Sequence, residues 1–304
     1  MSENKRSSGS FVRAFRRQPL RAYFPIFVLP TFAAFCIGFI YPFLRGVYLS
    51  FCTFRTTSDA EWTGFSNYIK AFEDSSFFHA FWYTALFTVV SVIAINVLAF
   101  AVAYVFTRGI RGANAFRTVF FMPNLIGGIV LGYIWQMIFD GFLRRYGTSI
   151  VLDSRFGFWG LVILMCWQQI GYMMIIYIAG LQSVPEELNE AARIDGANGR
   201  QVLRHITIPT VMPSITICTF LTLTNSFKLF DQNLALTGGA PIVFGADGTQ
   251  IKQTEMLALN IYNTFYSNAN FRGVGQAKAV IFFIIVAVIA LLQLRFTHKR
   301  EVQQ

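Results

Sequence analysis

Residues 183–213 read SVPEELNEAARIDGANGRQVLRHITIPTVMP and carry three carboxylates within five positions. The stretch lies between two long segments without Asp, Glu, Lys or Arg, 156–185 and 205–227. Each of those segments is long enough to cross a bilayer, which takes about 20 apolar residues. The polar stretch between them therefore predicts a loop that lies outside the hydrocarbon and forms helices of its own.

The loop contains the signals of two short helices joined at a glycine. Ser183 and Glu186 have the spacing of a capping box, and Glu186 and Glu187 place negative charge in the first turn, where it suits the helix dipole. Gly196 is a natural helix stop, and Asn198 is a candidate N-cap for a second helix. From this local chemistry alone, a well-capped surface connector is the simplest interpretation.

The spacing of residues across the loop points to a more specific interpretation. Residues 190–209 read EAARIDGANGRQVLRHITIP and resemble the EAA loop of ABC importer permeases, E-A-A-x3-G-x9-I-x-L-P, with Ile208 where the family has Leu. In that family the loop forms a coupling helix, which docks into a groove on a cytoplasmic ATPase subunit. The residues to which the resemblance assigns this coupling role are Glu187, Glu190, Ala191, Ala192, Asp195 and Gly196.

Other stretches occur in the order found in the same family, so the resemblance covers roughly residues 22–297. Residues 230–241, FDQNLALTGGAP, look like the F-D-x5-T-G-G-x-P stretch of carbohydrate importers. Residues 62–68 (WTGFSNY), 120–124 (FFMPN) and 167–172 (WQQIGY) are similar to further family segments. The resemblance implies a permease fold with the polar loop between the fourth and fifth membrane helices.

Composition independently predicts an all-α integral membrane protein. Of the 304 residues, 55% are hydrophobic and 13% are charged, against about 25% charged in soluble domains. Six windows lack Asp, Glu, Lys and Arg; the last has only 16 residues, and we expect Lys278 and Arg295 to snorkel from its ends. The six expected transmembrane helices span about 22–44, 78–107, 118–139, 157–182, 208–234 and 278–296.

The placement of Lys and Arg predicts the orientation in the cell membrane. With the N-terminus inside, the inner segments carry fifteen of these residues and the longer outer segments carry ten. We therefore expect a basic N-terminal segment 1–21 and a tail 298–304, both cytoplasmic, around a permease domain 22–297. The coupling loop 183–209 is then cytoplasmic, and the segment 238–277 lies outside.

The sequence lacks the residues that several functional classes require. The charge-free windows hold no carboxylate, Lys or Arg of the kind that an ion-coupled carrier keeps at mid-membrane depth. The chain has no G-x4-G-K-[ST], H-E-x-x-H or G-x-S-x-G motif. Its four cysteines and three histidines form no metal pattern, and no basic stripe points to nucleic acid. The sequence predicts a non-catalytic subunit without a cofactor of its own.

Neutral polar and aromatic side chains within the spans suit a saccharide, which presents hydroxyls and apolar C–H faces. For any one of them a helix–helix hydrogen bond is the simpler interpretation. By resemblance to the maltose-type permease, the sugar path passes the Met-Pro pair of span three, the Trp of span four and the middle of span five. The candidate path residues are Asn124, Gly128, Gln168, Gln169, Tyr172, Asn225, Ser226 and Phe227.

Lys228 and Asp231 lie three residues apart, so we expect a salt bridge at the outer mouth, with a gate or substrate contact as the alternative. Altogether the resemblance implies the permease subunit of an ATP-driven, binding-protein-dependent importer of carbohydrate, with an oligosaccharide favoured. The implied partners are a second permease subunit, two ATPase subunits that bind ATP and Mg²⁺, and an extracytoplasmic solute-binding protein. The alternatives are import of glycerol-phosphate or another polar solute by the same fold, an ion-coupled secondary carrier, and a membrane enzyme.

Overall fold

The computed structural model describes residues 19–245 and 248–298, so most of the predicted segments 1–21 and 298–304 lies outside the described residues. The α-helices are α1 (Pro19–Phe35), α2 (Tyr41–Leu49), α3 (Ser66–Glu73), α4 (Ser75–Phe106), α5 (Ala113–Phe121), α6 (Gly128–Leu143), α7 (Ser154–Gln182), α8 (Glu186–Ile194), α9 (Gly199–Val202), α10 (Ile208–Thr210), α11 (Met212–Phe227), α12 (Asp231–Leu236), α13 (Leu257–Ser267) and α14 (Arg272–His298). Two small antiparallel hairpins pair β1 (Cys52–Thr53) with β2 (Glu61–Trp62), and β3 (Ile242–Phe244) with β4 (Gln250–Lys252).

Four helical stretches among the described residues are long and apolar enough to cross a membrane: α1 with α2, α4, α7, and α14 with the turn before it. Two bent helix pairs raise the number to six if each pair is one span. Of these, α5 and α6 meet at 101°, and the helices before and after Val211 meet at 69°. The chain is a mostly helical, multi-pass membrane protein.

Both bends occur where the sequence removes helical hydrogen bonds. At the first, Pro123 lies in the 3₁₀ turn Met122–Leu125, after which Ile126 and Gly127 adopt extended backbone angles. At the second, Val211 has φ −85° and ψ 2°, between Pro209 and Met212. Proline lacks a backbone N–H and clashes with the preceding turn, which is the usual cause of such breaks.

The central helix of the fold is α7. Within its apolar window 61% of the residues are buried, against 28% for α4 and none for the stretch Ile26–Leu49. Tyr177 of α7 donates a hydrogen bond of 2.7 Å to Asn96 Oδ1 of α4, which fixes the register between these helices. The first stretch thus turns its apolar surface away from the core, and α7 occupies the middle.

The ends of the helices define two sides of the molecule, named here by one residue each. On the Glu186 side, residues 104–108 and the end of α7 share a cavity with α8. On the Lys278 side, the start of α4 meets α13 and the start of α14. The two sides lie at opposite ends of α4.

The prediction that Lys278 snorkels to water is wrong, because its side chain is fully buried. Its Nζ donates to Asp74 Oδ2 at 2.6 Å, to Asn260 Oδ1 at 3.0 Å and to Thr264 Oγ1 at 2.8 Å. Burial of an ammonium is tolerated only when an opposite charge and polar groups replace water. Here α13 and Asp74 supply both, at sequence separations that the local pattern does not reveal.

Candidate functional site

A cavity of about 260 Å³ opens between the middle of α7, the end of α11 and the start of α12. Its lining residues are Met165, Gln169, Asn225, Lys228, Leu229, Phe230, Asp231 and Gln232. The polar part of this lining is three amides, one ammonium and one carboxylate, beside apolar groups and one aromatic ring. Such a surface can donate to and accept from hydroxyl groups and pack against C–H faces.

Hydrogen bonds between amide side chains connect α7, α11 and α12 at this cavity. Asn225 Nδ2 donates to Gln169 Oε1 at 3.4 Å, and Gln232 Nε2 donates to Gln168 Oε1 at 2.7 Å. Gln168 Nε2 in turn donates to the backbone carbonyl of Ile126 at 3.4 Å. That carbonyl lies at the break between α5 and α6, where it has no helical N–H partner. An amide of α7 therefore supplies the hydrogen bond that the break removes.

Gly128 brings α12 close to α6. A Cβ atom at this position would lie 2.8 Å from Asp231 Cβ and 2.9 Å from Gln232 Cδ, closer than real carbon contacts allow. Because only glycine leaves this space, α12 packs against the first turn of α6 and its first two side chains are held at the cavity. Gly128, predicted on the sugar path, therefore lies directly behind the cavity lining.

The predicted salt bridge between Lys228 and Asp231 is absent. Among the described residues, the ion pairs are Lys252–Glu255 and Lys278–Asp74. The reason is that α11 ends at Phe227, and the connection to α12 is not helical. Positions three apart then no longer share a helix face, and both charged side chains are exposed at the cavity.

The other candidate path residues divide into two groups. Gln169 and Asn225 line the cavity, and Gln168 and Gly128 lie against its lining residues. Asn124, Tyr172, Ser226 and Phe227 are not among the residues that line it. Ser226 and Phe227 are buried, and the Ser226 hydroxyl has no hydrogen-bond partner among the described residues.

Sequence reasoning missed Gln232 as a cavity residue and treated Lys228 and Asp231 as a pair. The signal that could have found them is the appearance of Lys228, Asp231 and Gln232 directly after α11, which contains no charged residue. Outside this cavity, the described residues hold no group of three or more His, Cys, Asp or Glu placed to bind a metal ion.

On the Glu186 side, α8 has no buried residue. At 100° per residue, Glu187, Glu190, Ala191 and Ile194 share one face of this helix, and all four are exposed. Ile194 is 86% exposed, an unusual state for a large apolar side chain. This set of four residues is called the outward face of α8.

Another side of α8 lines a space next to the membrane helices. Glu186, Asn189 and Arg193 line a cavity of about 610 Å³ together with Tyr104 and Arg108 at the end of α4. The other predicted coupling residues, Ala192, Asp195 and Gly196, line a smaller cavity of about 310 Å³ beside α9. The helix therefore presents a mixed acidic and apolar face outward, with space behind it.

The ends of α8 show one wrong prediction and one that is confirmed. Ser183 forms no capping box; its Oγ donates to the carbonyl of Gly180 at the end of α7, and Pro185 is the N-cap residue of α8. Gly196 does stop the helix, with φ +81°. The N–H of Ala197 donates to Ala192 O at 2.9 Å, as in a Schellman motif.

Asn198 caps the next helix as predicted. Its Oδ1 accepts from the backbone N–H groups of Arg200 and Gln201 at 3.1 and 3.0 Å, and the Gln201 side chain accepts from the N–H of Asn198. This reciprocal capping box satisfies donors that the first turn of α9 leaves free. The loop thus has a fixed shape although almost none of it is buried.

Comparison with known proteins places these features in a family. Residues 108–301 match the family described as "Binding-protein-dependent transport system inner membrane component". The chain is 42% identical, over 91% of its length and 94% of the relative's, to the probable starch degradation products transport system permease protein AmyD of Thermoanaerobacterium thermosulfurigenes. It is 30% identical, over 90% of its length and 94% of the relative's, to the sn-glycerol-3-phosphate transport system permease protein UgpA of Agrobacterium fabrum.

A solved structure has a similar fold. It is described as a bacterial alginate ABC transporter in complex with alginate pentasaccharide-bound periplasmic protein. The match has a TM-score of 0.76 and covers 94% of this chain and 96% of the solved one, at 17% identity. At that identity the likeness shows the fold and nothing further.

Proposed function

Because the chain belongs to the family of binding-protein-dependent transport system inner membrane components, we propose that it is the permease subunit of an ATP-driven importer of carbohydrate, with an oligosaccharide as the favoured cargo. The observation that carries the choice of cargo is the relative named for starch degradation products, which is 42% identical over 91% of the chain. Like the relatives that are named as permease proteins, the chain is a non-catalytic transport component.

The cavity between α7, α11 and α12 supports a sugar as cargo. Gln169, Asn225 and Gln232 offer amide donors and acceptors, and the Asp231 carboxylate can accept from hydroxyl groups. The ring of Phe230 adds an apolar surface for C–H faces. With a volume of about 260 Å³, the cavity would hold part of an oligosaccharide.

The outward face of α8 supports a cytoplasmic partner. A helix that is shaped by its own caps, yet exposes Ile194 and two carboxylates, has the composition of a docking surface. We propose that it is the coupling helix, inserted into one of two ATPase subunits that bind ATP and Mg²⁺. Closure of the ATPases would push α8 toward the space behind it and rock the membrane helices between inward-open and outward-open states.

The remaining parts of the proposal concern topology and assembly. We propose six spans, each bent pair counting as one, with both termini cytoplasmic and a domain organisation as predicted from the sequence. A second permease subunit of similar fold would complete the path. A solute-binding protein would deliver the sugar from the side opposite α8, by analogy with the alginate transporter, which was solved together with a pentasaccharide-bound periplasmic protein.

One observation favours a second cargo class. Lys228 places an ammonium at the cavity, which suits an anion, and a relative that is 30% identical is named for glycerol-3-phosphate. However, Asp231 lines the same cavity and would repel a phosphate. The balance of one positive and one negative charge therefore supports a neutral polyhydroxylated cargo over an anionic one.

The proposal is tested with the tagged full chain, co-expressed with its neighbouring genes and reconstituted into proteoliposomes. We expect an ATPase subunit to co-purify, and uptake of labelled malto-oligosaccharides to require ATP. Uptake of glycerol-3-phosphate instead would replace the cargo and leave the transport mechanism intact. Uptake by the chain alone under an ion gradient would show a secondary carrier and overturn the proposal.

The contribution of α8 is tested by matched substitutions on its two faces. Glu190→Ala on the outward face, and Gly196→Asp at the turn, should reduce ATPase co-purification or uncouple ATP hydrolysis from uptake. Asn189→Ala truncates a polar side chain on the side of α8 that lines the larger cavity and should retain both activities. Equal behaviour of the three variants would contradict docking through the outward face.

A further inference from the structure

The short helix α3 connects the first two membrane-crossing stretches and carries an apolar stripe that no described residue covers. Phe65, Ile69 and Phe72 are 69%, 57% and 54% exposed. Their spacing of four and three residues places them along one side of the helix. These residues belong to the segment that includes and follows WTGFSNY, a motif to which the transport function above gives no role.

The direction in which this stripe points is fixed by the opposite side of α3. Asn67 is 3% exposed, and its Nδ2 donates to the carbonyls of Ser50 at 3.0 Å and Cys52 at 2.9 Å. Ala71, one turn later, is fully buried. A buried amide that satisfies two backbone carbonyls holds α3 in one rotation about its axis, so exposure of the stripe is built into the fold.

A third side of α3 is polar. Lys70 and Glu73 are exposed and lie between the apolar stripe and the buried side. The helix therefore has one side packed against the protein, one polar side exposed to water and one exposed apolar side. This division is the pattern of an amphipathic helix that lies in the plane of a membrane surface.

The apolar stripe continues into the surface of the first membrane-crossing stretch through a series of aromatic rings. Trp62, itself 62% exposed, lies with its ring centroid 5.8 Å from that of Tyr48 and 5.3 Å from that of Phe51. Phe51 in turn contacts Phe65 edge to face at 5.4 Å. Tyr48 lies in the last turn of α2, whose stretch has no buried residue in its apolar window. The rings thus join an end of a membrane helix to α3.

We propose that Tyr48, Trp62, Phe65, Ile69 and Phe72 form an anchor surface that inserts into the boundary between lipid headgroups and acyl chains. Trp and Tyr are enriched at that depth because their rings are apolar with a polar edge. Lipid is the occupant because none of these five side chains is charged and the surface is continuous with the lipid-facing side of α2. The Arg45 guanidinium, 5.2 Å from the centroid of the Tyr48 ring, suits the phosphates of the headgroups. A water-soluble partner would instead meet the polar side, at Lys70 and Glu73. The anchor fixes the depth of the Lys278 side relative to the bilayer.

The test measures whether each side of α3 contacts lipid or water. In the complete reconstituted transporter, a nitroxide label is placed at Ile69→Cys, at Phe72→Cys or, as the matched control, at Lys70→Cys. Every variant also carries Cys36→Ser, because Cys36 is partly exposed, and the chain with Cys36→Ser alone is the labelling blank; Cys52, Cys166 and Cys218 are buried. We expect oxygen, which partitions into lipid, to relax the labels at 69 and 72 more than a water-soluble nickel chelate does. The order should be reversed at 70.

Three results would overturn the inference. Strong relaxation by the nickel chelate at positions 69 and 72 would place the stripe in water. Protection from both reagents would show that a protein subunit covers it. A loss of oxygen accessibility when the solute-binding protein is added would identify that protein as the occupant. The two labelling positions on one stripe guard against a single variant that fails to fold.

Discussion

The two sides of the molecule keep their shape by different means. On the Lys278 side, polar groups are buried and satisfy one another across long sequence separations, as with Lys278 and Asp74 or Asn233 and Met256. On the Glu186 side, α8 and α9 have no buried residue, and their shape depends on helix caps within the loop itself. The chain therefore satisfies the polar groups of the Lys278 side by itself and leaves the surface of the Glu186 side available to a partner.

The buried pair on the Lys278 side also determines the ionisation of its carboxylate. Partial burial would by itself raise the pKa of Asp74, but the ammonium of Lys278 and hydrogen bonds from Ser76 outweigh this effect. The pKa of Asp74 is therefore held below its usual range, and the carboxylate is charged at neutral pH. Asp74 also caps α4, so one charged group joins the first turn of α4 to α14.

The strongest test of this comparison is Lys278→Met, which removes the ammonium and retains much of the apolar volume. Asp74 would then be a partly buried charge without its partner, and Asn260 and Thr264 would lose a donor. Breaking a buried pair in this way costs about 3–5 kcal/mol. We expect a large fall in the thermal midpoint of the purified transporter in detergent, followed by tryptophan fluorescence.

The matched control is Lys252→Met, which breaks the other ion pair on the same side. Its side chain is 32% exposed and lies 3.7 Å from Glu255. Lys252 is partly exposed, and the buried Glu255 carboxylate keeps hydrogen bonds from Asn260 and Asn263, so the midpoint should fall much less than in Lys278→Met. If the two variants melted alike, the buried pair would not be what holds this side together.

On the Glu186 side the largest expected effect concerns binding rather than folding. Ile194→Asp places a charge at the C-terminal end of the outward face, where the side chain is 86% exposed in the isolated chain. Loss of a buried apolar anchor costs about 2 kcal/mol, or roughly 30-fold in affinity. We expect weakened association with the ATPase subunit, measured by titration of the purified partner, and an unchanged melting midpoint.

Ile110→Asp is the control, because Ile110 is also an exposed isoleucine on the Glu186 side but lies outside the outward face. It should bind the ATPase as the unsubstituted chain does. A fall in melting temperature for Ile194→Asp would show that Ile194 supports the fold, and would remove the contrast between the two sides.

The sequence allowed the local features of the Glu186 side to be predicted. The stop at Gly196 and the cap at Asn198 depend on residues within five positions of one another, so their chemistry can be read in order along the chain. The prediction that Ser183 caps α8 was wrong, because its hydroxyl lies between two helix ends and donates to the end of α7. Nothing in the residue spacing decides between two adjacent helix ends.

The Lys278 side was less predictable, for a physical reason. The partners of Lys278 lie 204, 18 and 14 residues away, so no local window contains them. The candidate cavity is an intermediate case. Gln169 and Asn225 were predicted from family positions, whereas the exposure of Lys228 and Asp231 follows from where α11 ends. Helix ends of this kind depend on tertiary packing, here the fit of α12 against Gly128.

The cavity offers a third test, since a substitution there should change sugar uptake without changing the stability of the Lys278 side or ATPase binding at the Glu186 side. Gln169→Ala removes an amide that lines the cavity and accepts from Asn225. A lost hydrogen bond costs about 0.5–1.5 kcal/mol, which corresponds to roughly two- to twelve-fold in the KM of uptake. ATPase binding should be unchanged. Gln136→Ala, an amide of α6 outside the lining, is the control and should leave KM unaltered; a shift in both variants would indicate a general packing defect.

The smallest expected effect distinguishes local from tertiary stabilisation most sharply. Asn198→Ala removes the acceptor of the N–H groups of Arg200 and Gln201, and loss of such a cap costs about 1 kcal/mol, roughly fivefold in local opening. Since α9 has no buried residue, this loss should appear as faster hydrogen exchange at 199–202 and not as a lower melting midpoint. Ser183→Ala is the informative partner, because its hydroxyl serves α7 and should leave exchange in α8 unchanged. If Asn198→Ala lowered global stability instead, the loop would be coupled to the core through contacts other than its caps, and the Glu186 side would be no less self-sufficient than the Lys278 side.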